Sequence, residues 1–408
     1  MSLPHCDYFE AGRCRSCALI ETPYAEQLRA KEARCRELLP ELGPGRWLPS
    51  VEGGDRDFRN KAKLVVGGGA GAVTLGILGP DGSGVDLRDC LIQSPGLRAA
   101  IPRLATFLDA TGLPPYDVPA RRGELKFAHL TEAPSGELMV RFVSRTQEGL
   151  DRLRARLPEL LRALPEARVV SVNLLPEHRA VLEGEREEVL HGTSLDMQLG
   201  GIDLHLRPRS FFQTNTAVAR ELYAQAADWV ARRNPRSLWD LYCGVGGFAL
   251  HLAEPSEQRR DGAGQGPGSG SEPATAPARR VLGVEISEEA VRSARRSAAD
   301  AGLAAAFLAE DATAFALASA REDRPEAIIV NPPRRGIGAE LADWIEDSGV
   351  DLVVYSSCNP ESLAKDLTRM PAYEIAEARV FDMFPHTNHL EVMVLLTRGS
   401  GSDGMMGT

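Results

Sequence analysis

Two stretches near the C-terminal end carry side chains able to do covalent chemistry. VDLVVYSSCNP, residues 350–360, is an apolar, β-branched run broken by Asn359 and Pro360, with Cys358 at the break. Such a run reads as a short buried strand. FDMFPHTNHLEV, residues 381–392, supplies His386, His389 and Glu391 just before the apolar run VMVLL. Glu391 opens a strand that should be buried, a costly place for a carboxylate without a task. The plainer readings are a packing cysteine and a structural salt bridge. The position of Cys358, where a strand leaves its sheet, favours a nucleophile with Glu391 as its partner base.

A third stretch, EAIIVNPPRRGIG at 326–338, ends a strand in Asn331, two prolines, Arg334 and Arg335. In an open α/β sheet the carboxyl ends of neighbouring strands line one crevice, so Asn331, Arg334 and Cys358 should converge there. An aromatic residue after Asn-Pro-Pro would suit methylation of a base amino group; arginine suits a phosphate or an imide carbonyl. A thiolate adding to C6 of uracil makes C5 nucleophilic enough to take a methyl group. A base must then remove the C5 proton so that the thiolate can leave.

The methyl donor has its own signature. LWDLYCGVGGF, 238–248, is an apolar strand, a turn Gly244-Val245-Gly246-Gly247, then the start of a helix. Glycines there permit a sharp turn and close approach of a ligand. Glu285 ends the next strand, where a carboxylate can accept from both ribose hydroxyls of an adenosine. It lies 39 positions after Gly246, against roughly 20 in a usual unit. The Gly/Ser/Pro/Ala-rich stretch 254–280 accounts for the excess and is expected to be a disordered insertion. The turn lacks a clean G-x-G-x-x-G, because Ala249 stands at the last position. That favours S-adenosylmethionine over a dinucleotide, with Asp240 near the methionine ammonium. Asp311 either meets the adenine amino group or caps a helix.

Cys6, Cys14 and Cys17 open the chain with one C-x2-C spacing, and Cys90 is a fourth thiol for the set. Four cysteines fit a tetrahedral zinc or a [4Fe-4S] cluster; unligated thiols are the alternative.

The elements that must position these groups fall into three zones. Thr22-Pro23 opens a helix to about Leu39, with Tyr24, Leu28, Cys35 and Leu39 on one side. From 46 to 205 strand patterns dominate: KAKLVV and AVTLGIL across a glycine turn, ELKFAHL and ELMVRFV across APSG, then one amphipathic helix, GLDRLRARLPELLRAL, and VVSVNLL. From 206 strands and helices alternate, which predicts βαβ units and a mostly parallel, doubly wound sheet. The expected architecture is therefore α/β: a cysteine segment (1–45), a smaller β-rich α+β domain (46–205), a Rossmann-like domain (206–398), and an unstructured tail (399–408).

Composition bounds the class. The chain has 408 residues, 43% hydrophobic and 25% charged, with a formal net charge of -10. That is an ordinary globular balance, and any nucleic-acid surface must be local. No basic leader and no long apolar run is evident, and seven scattered cysteines suit a reducing cytoplasm. Neither a membrane nor an obligate protein partner is indicated.

NPPRRG followed after 16 residues by VVYSSCN, together with FDMFPHTNHLE, resembles the paired signatures of the RNA uracil-C5 methyltransferases. The likeness extends through RPRSFFQTN, WDLYCGVGGF, RGELKF and FRNKAK to HCDYFEAGRCRSC, nearly the whole chain. It is nearest to the group acting on 23S rRNA. The resemblance implies a class I fold using S-adenosylmethionine, with Cys358 as nucleophile and Glu391 as base. It implies Gln213, Tyr242, Glu285 and Asn331 as cofactor residues, and Cys6, Cys14, Cys17 and Cys90 holding a [4Fe-4S] cluster. The related tRNA enzymes lack the cysteine quartet, and a second 23S group carries an additional N-terminal domain for which the early cysteines leave no room. Asn331 stands where much of the family has Asp, and Ser362 where it has Thr.

A tRNA uridine methyltransferase and a noncatalytic RNA-binding factor are the rival readings; the Cys358–Glu391 pair argues against the second. Expected RNA contacts are Arg59, Lys61, Lys63, Arg121, Arg122, Lys126, Arg207 and Arg209 beside Phe211 and Phe212, with the target base flipped toward Cys358.

Overall fold

The computed structural model describes residues 3–179, 181–255 and 278–399. Most of the expected insertion and nearly all of the expected tail lie outside that range. The first elements are α1 (Asp7–Glu10) and α2 (Tyr24–Leu38). Helix α2 begins one residue later than the Thr22-Pro23 signal predicts, with Pro23 at the cap position. Its buried face is Gln27, Lys31 and Cys35 rather than an apolar stripe.

Strands β1 (Lys61–Gly69), β2 (Ala72–Leu78) and β3 (Gly84–Asp86) form a meander. Helix α3 (Pro95–Thr111) follows, an element the strand-dominated reading of this zone misses. The next elements are β4 (Leu125–Glu132), β5 (Leu138–Ser144), α4 (Gln147–Ala155), α5 (Leu157–Ala163), β6 (Ala167–Leu174) and β7 (Arg186–His191). The single amphipathic helix expected over 149–164 is two: Pro158 near the start of α5 sits at the break. The sheet order is β3-β2-β1-β4-β5-β6-β7, antiparallel except for β5–β6, whose crossover is α4–α5. Leu97, Ile101, Leu104 and Leu108 of α3 pack with Leu64, Val66, Leu75, Leu130 and Val140 on one face of this sheet. The opposite face carries the polar side chains.

A hairpin, β8 (Leu195–Leu199) and β9 (Ile202–Leu206), leads into α6 (Thr216–Arg233). Then come β10 (Ser237–Leu241), α7 (Gly247–Leu252), β11 (Arg280–Glu285), α8 (Glu288–Ala301), β12 (Ala305–Ala309), α9 (Ala312–Ala318), β13 (Ala327–Val330), α10 (Gly338–Ser348), β14 (Leu352–Ser357), α11 (Pro360–Leu367), β15 (Tyr373–Phe381) and β16 (Glu391–Arg398). The order β12-β11-β10-β13-β14-β16-β15 is parallel through β14, with β16 antiparallel to both its neighbours. Residues of α6, α7 and α8 cover one face and those of α9, α10 and α11 the other, the doubly wound arrangement expected. Strand order reverses between β10 and β13, so a crevice opens at their carboxyl ends.

The edge of this sheet is covered. Trp47 and Val51 bridge in parallel to Ala378 and Phe381 of β15, pairing backbone groups that an open edge would leave exposed. None of the described helices is long and apolar enough to cross a membrane.

Candidate active site

The crevice is a cavity of about 520 Å³. Its lining includes Gln213, Tyr242, Glu285, Asn331, Cys358 and Glu391, the residues that the family resemblance implies for catalysis and cofactor binding. Arg334 and Asp311 line it too, as do Phe211, Arg335 and Phe384.

The register between strands places the reacting pair. Ser357 of β14 pairs with Val392 of β16; one step further along that antiparallel ladder sets Cys358 beside Glu391. Cys358 is half-buried and Glu391 only 2% exposed. Burial pushes the Glu391 carboxyl up to about 7, against the pull of its two hydrogen bonds. Oε1 accepts from Asn331 Nδ2 at 2.9 Å and from Ser356 Oγ at 2.5 Å. Both donors are neutral, and no cation pairs with Glu391 among the described residues, so the salt-bridge reading has no partner. Burial also raises the Cys358 thiol, Glu391 adds to the rise, and Arg334 opposes both.

Asn331 follows β13 directly and also donates to Ser356 O at 3.3 Å. Its amide thus ties together the ends of β13, β14 and β16. The two histidines near Glu391 do not line the cavity. His386 is fully buried with φ 63°, its Nε2 2.7 Å from Asp55 O and its Nδ1 3.2 Å from Gln27 Nε2. His389 is exposed, its ring edge-on to Phe384 at 6.2 Å.

The glycine turn forms the far wall. Gly246 has φ 88° and caps α7. A Cβ on Gly247 would lie 2.4 Å from the Tyr223 hydroxyl, so α7 packs at glycine distance against α6. Tyr242 has φ 67°, a strained conformation for its type, and lines the cavity. Glu285 is held from beneath: Oε2 accepts from Gly244 N at 3.2 Å and Oε1 from Ser287 N at 2.9 Å.

Asp240 differs from expectation. It is completely buried, does not line the cavity, and accepts from Ala249 N at 2.8 Å. Burial lifts its carboxyl to about 7. It supports the turn from inside rather than facing a ligand. Asp311 satisfies both of its readings, capping α9 through Ala314 N at 2.9 Å while lining the cavity. The sequence reading does not single out Val284, Ile286, Ala312 or, the one from the C-terminal loop, Phe384. Phe384 lies in an irregular stretch, where periodicity carries no information.

The four N-terminal-set thiols also come together. Cys6, Cys14, Cys17 and Cys90 line one cavity of about 190 Å³ with Arg59, Lys63 and Tyr8. All four are free. Burial, then the charges of Cys90, Cys14 and Cys6, push Cys17 up to about 12. Among the described residues no group of three or more His, Cys, Asp or Glu side chains is placed to hold a single metal ion.

A basic groove of about 360 Å³ adjoins the active site through Phe211, which lines both and is 72% exposed. Lys61, Lys63, His129, Arg141 and Arg209 face it. Arg141 is neutralised by Glu183 and Glu187 at 2.6 Å each. Burial lowers Lys61 to about 8. Of the other expected RNA contacts, Arg59 lies at the cysteine cavity. Arg207 faces Glu289 at 3.6 Å, and Phe212 is buried in the core. Arg122 bridges back to Asp117 in a turn.

Residues 266–399 match the family model described as tRNA (Uracil-5-)-methyltransferase. The chain is 46% identical, over 97% of its length and 99% of the relative's, to the 23S rRNA (uracil(747)-C(5))-methyltransferase RlmC of Halothiobacillus neapolitanus. It is 47% identical to the protein of the same name from Shewanella amazonensis, over 96% and 97% respectively. Among solved structures, the Pyrococcus abyssi tRNA (uracil-54, C5)-methyltransferase in complex with S-adenosyl-L-homocysteine superposes with a TM-score of 0.76. That match covers 94% of this chain and 85% of the other at 24% identity, a likeness of fold.

Proposed function

The chain belongs to the RNA uracil-C5 methyltransferase family, and on that premise we propose that it methylates C5 of a uridine in 23S rRNA, the counterpart of uracil 747 named for its relatives. The observation that carries the reading is the thiol of Cys358 beside the buried Glu391, at one end of a cavity whose other wall is a glycine turn.

S-adenosylmethionine is the co-substrate, supplying an electrophilic methyl group on sulfonium. Gln213, Tyr242, Glu285 and Asn331 are the residues that hold it, with Glu285 oriented by two backbone N–H groups toward the ribose hydroxyls. The Cys358 thiolate bonds to C6 of the flipped uracil, and the ring electrons move to C5 and O4. C5 then takes the methyl group as the S–CH3 bond breaks, its electron pair staying on sulfur in S-adenosylhomocysteine. Glu391 removes the C5 proton, the C5=C6 bond reforms, and the C6–S bond breaks to release the thiolate. A carboxylate with its affinity for protons near neutrality suits that role. Arg334, beside the thiol, favours its ionised form.

We infer a [4Fe-4S] cluster at the cysteine cavity from the chemistry of its donors. Four unpaired thiols line one cavity of about 190 Å³, the donor set that such a cluster takes. Cys6, Cys14, Cys17 and Cys90 would hold the group and tie the N-terminal segment to the central domain. Iron and acid-labile sulfide in anaerobically purified protein, lost in Cys90→Ser, support the cluster. Stoichiometric zinc without sulfide reverses the assignment.

The test of the reaction is a 23S rRNA fragment carrying 5-fluorouridine at the target, with a tRNA control. Fluorine cannot leave as a proton does, so a denaturation-stable adduct mapping to Cys358 is expected on the rRNA fragment alone. Full activity of Cys358→Ala on ordinary RNA overturns the mechanism; adduct on tRNA alone overturns the substrate.

A further inference from the structure

We propose that the central domain carries a second nucleobase-binding subsite, a recess walled by Phe127, His178 and Tyr116, which takes an unpaired base flanking the target uridine in the same RNA. This rests on the methyltransferase reading and adds to it a place where the neighbouring sequence is gripped.

The recess has a volume of about 340 Å³ and lies on the sheet face away from α3. Strand register orders it relative to the basic groove. Lys61 pairs with Thr131, Lys63 with His129, and Val65 with Phe127 along β1 and β4. The first two pairs line the groove and the third lines the recess. One step of two residues is about 7 Å, near the reach of one extended nucleotide. Three concavities therefore follow one another. Phe211 is shared by the active site and the groove. Val181 and Leu182 are shared by the groove and the recess.

The chemistry of the recess suits a base. Phe127 is half-buried and His178 exposed, so both offer ring surface. Leu78, Val181 and Leu182 at its rim are 39%, 43% and 43% exposed, an apolar patch left open by the described residues. A register shift between Leu125 and Phe127 makes Lys126 the extra residue of a bulge. The bulge turns Lys126 onto the same side as Phe127. There its Nζ lies 4.6 Å from the Tyr116 ring centroid and donates to Glu177 O at 2.6 Å. The Tyr116 hydroxyl in turn lies 2.9 Å from His178 Nδ1, which fixes the imidazole. Lys126 and Arg179 put positive charge beside aromatic walls, and Lys63 and Arg209 put it along the approach. Aromatic surface flanked by cations is how proteins hold single-stranded nucleic acid: bases stack, phosphates pair. A peptide partner would have no use for that alternation, nor for continuity with the reaction cavity.

The test places 5-iodouridine at each position flanking the target in a 23S rRNA fragment, one at a time, and irradiates the complex. One position is expected to crosslink within 125–132 or 176–182. Kinetics supply the second arm. His178→Ala, on an exposed loop, and Phe127→Ala should each raise KM roughly tenfold while leaving kcat within about twofold. An abasic residue at the crosslinking position should raise KM equally and add nothing in the His178→Ala enzyme. Crosslinks confined to other segments, or unchanged KM in both variants, overturn the subsite while wild-type methylation of the fragment leaves the activity standing. Absence of wild-type methylation overturns both.

Discussion

At the scale of single residues, Glu391 couples chemistry to stability. Its folded-state carboxyl titrates near 7 against an ordinary value of 4.5. The raised value means that the stability tied to its protonated form is fully present below about 4.5 and is lost as pH rises through about 7. At about 1.4 kcal/mol per unit, the ionised form costs on the order of 3 kcal/mol. Glu391→Gln keeps an acceptor for Asn331 and Ser356 without a charge. Urea denaturation should find it near wild type at pH 5 and more stable by about 1–3 kcal/mol at pH 8. Equal differences at both pH values would refute this. The same variant has lost its base, so covalent RNA should accumulate where wild type turns over. In wild type, the rate of adduct resolution should rise with pH through about 7, following the ionised fraction. Asp240 sits in the same window, also lifted to about 7 by burial. Asp240→Asn should flatten the stability profile there without trapping adduct, which separates the two carboxylates.

At the scale of elements, α2 shows where pattern reading succeeds and where it fails. The existence of the helix is legible from Thr22-Pro23 and the spacing of Tyr24, Leu28 and Cys35. The burial of Gln27 and Lys31 is not, because both are polar and the C-terminal partners they reach lie over 350 residues away. Lys31 Nζ meets Asp382 Oδ1 at 2.6 Å, both buried, and donates to Phe384 O at 3.1 Å. Gln27 accepts from His386 N at 2.9 Å and donates to Leu19 O and Thr22 O. These bonds clamp the 382–386 segment, between a wall of the active site and the loop to Glu391. Lys31→Met leaves a buried carboxylate without its cation and should cost about 3–5 kcal/mol. Adding Asp382→Leu should recover most of that loss in denaturant melts, since the cost lies in the orphaned charge. If Lys31→Met alone is silent, the pair is not holding this loop.

At the scale of the whole molecule, the Rossmann-like half was legible because alternating strands and helices announce a parallel sheet, and its strand ends had to gather Asn331, Arg334 and Cys358. The antiparallel return of β16, which sets Glu391 beside Cys358, was not. Nor was α3, whose Pro95 and Pro102 interrupt the chain in a zone of strands. The basic track was only partly legible, as separate lysines and arginines. Their convergence depends on the pairing of β1 with β4, which no local pattern encodes. On the proposed reading, that convergence is where a chain of net charge -10 would hold RNA. Among the described residues, Lys61, Lys63, Arg179 and Arg209 line one face and offset repulsion from the acidic bulk there. Four such contacts to single-stranded phosphate give a slope of log affinity on log salt of about -3. Raising salt from about 50 to about 200 mM should weaken binding of a 23S rRNA fragment roughly 50-fold by fluorescence anisotropy. Binding of S-adenosylmethionine, a small co-substrate in the adjoining cavity, releases no such string of counterions and should change little. Lys63→Ala should reduce the slope by about 0.7, one phosphate's share. A slope shallower than about -1 in the wild type would mean that the RNA does not run along this face.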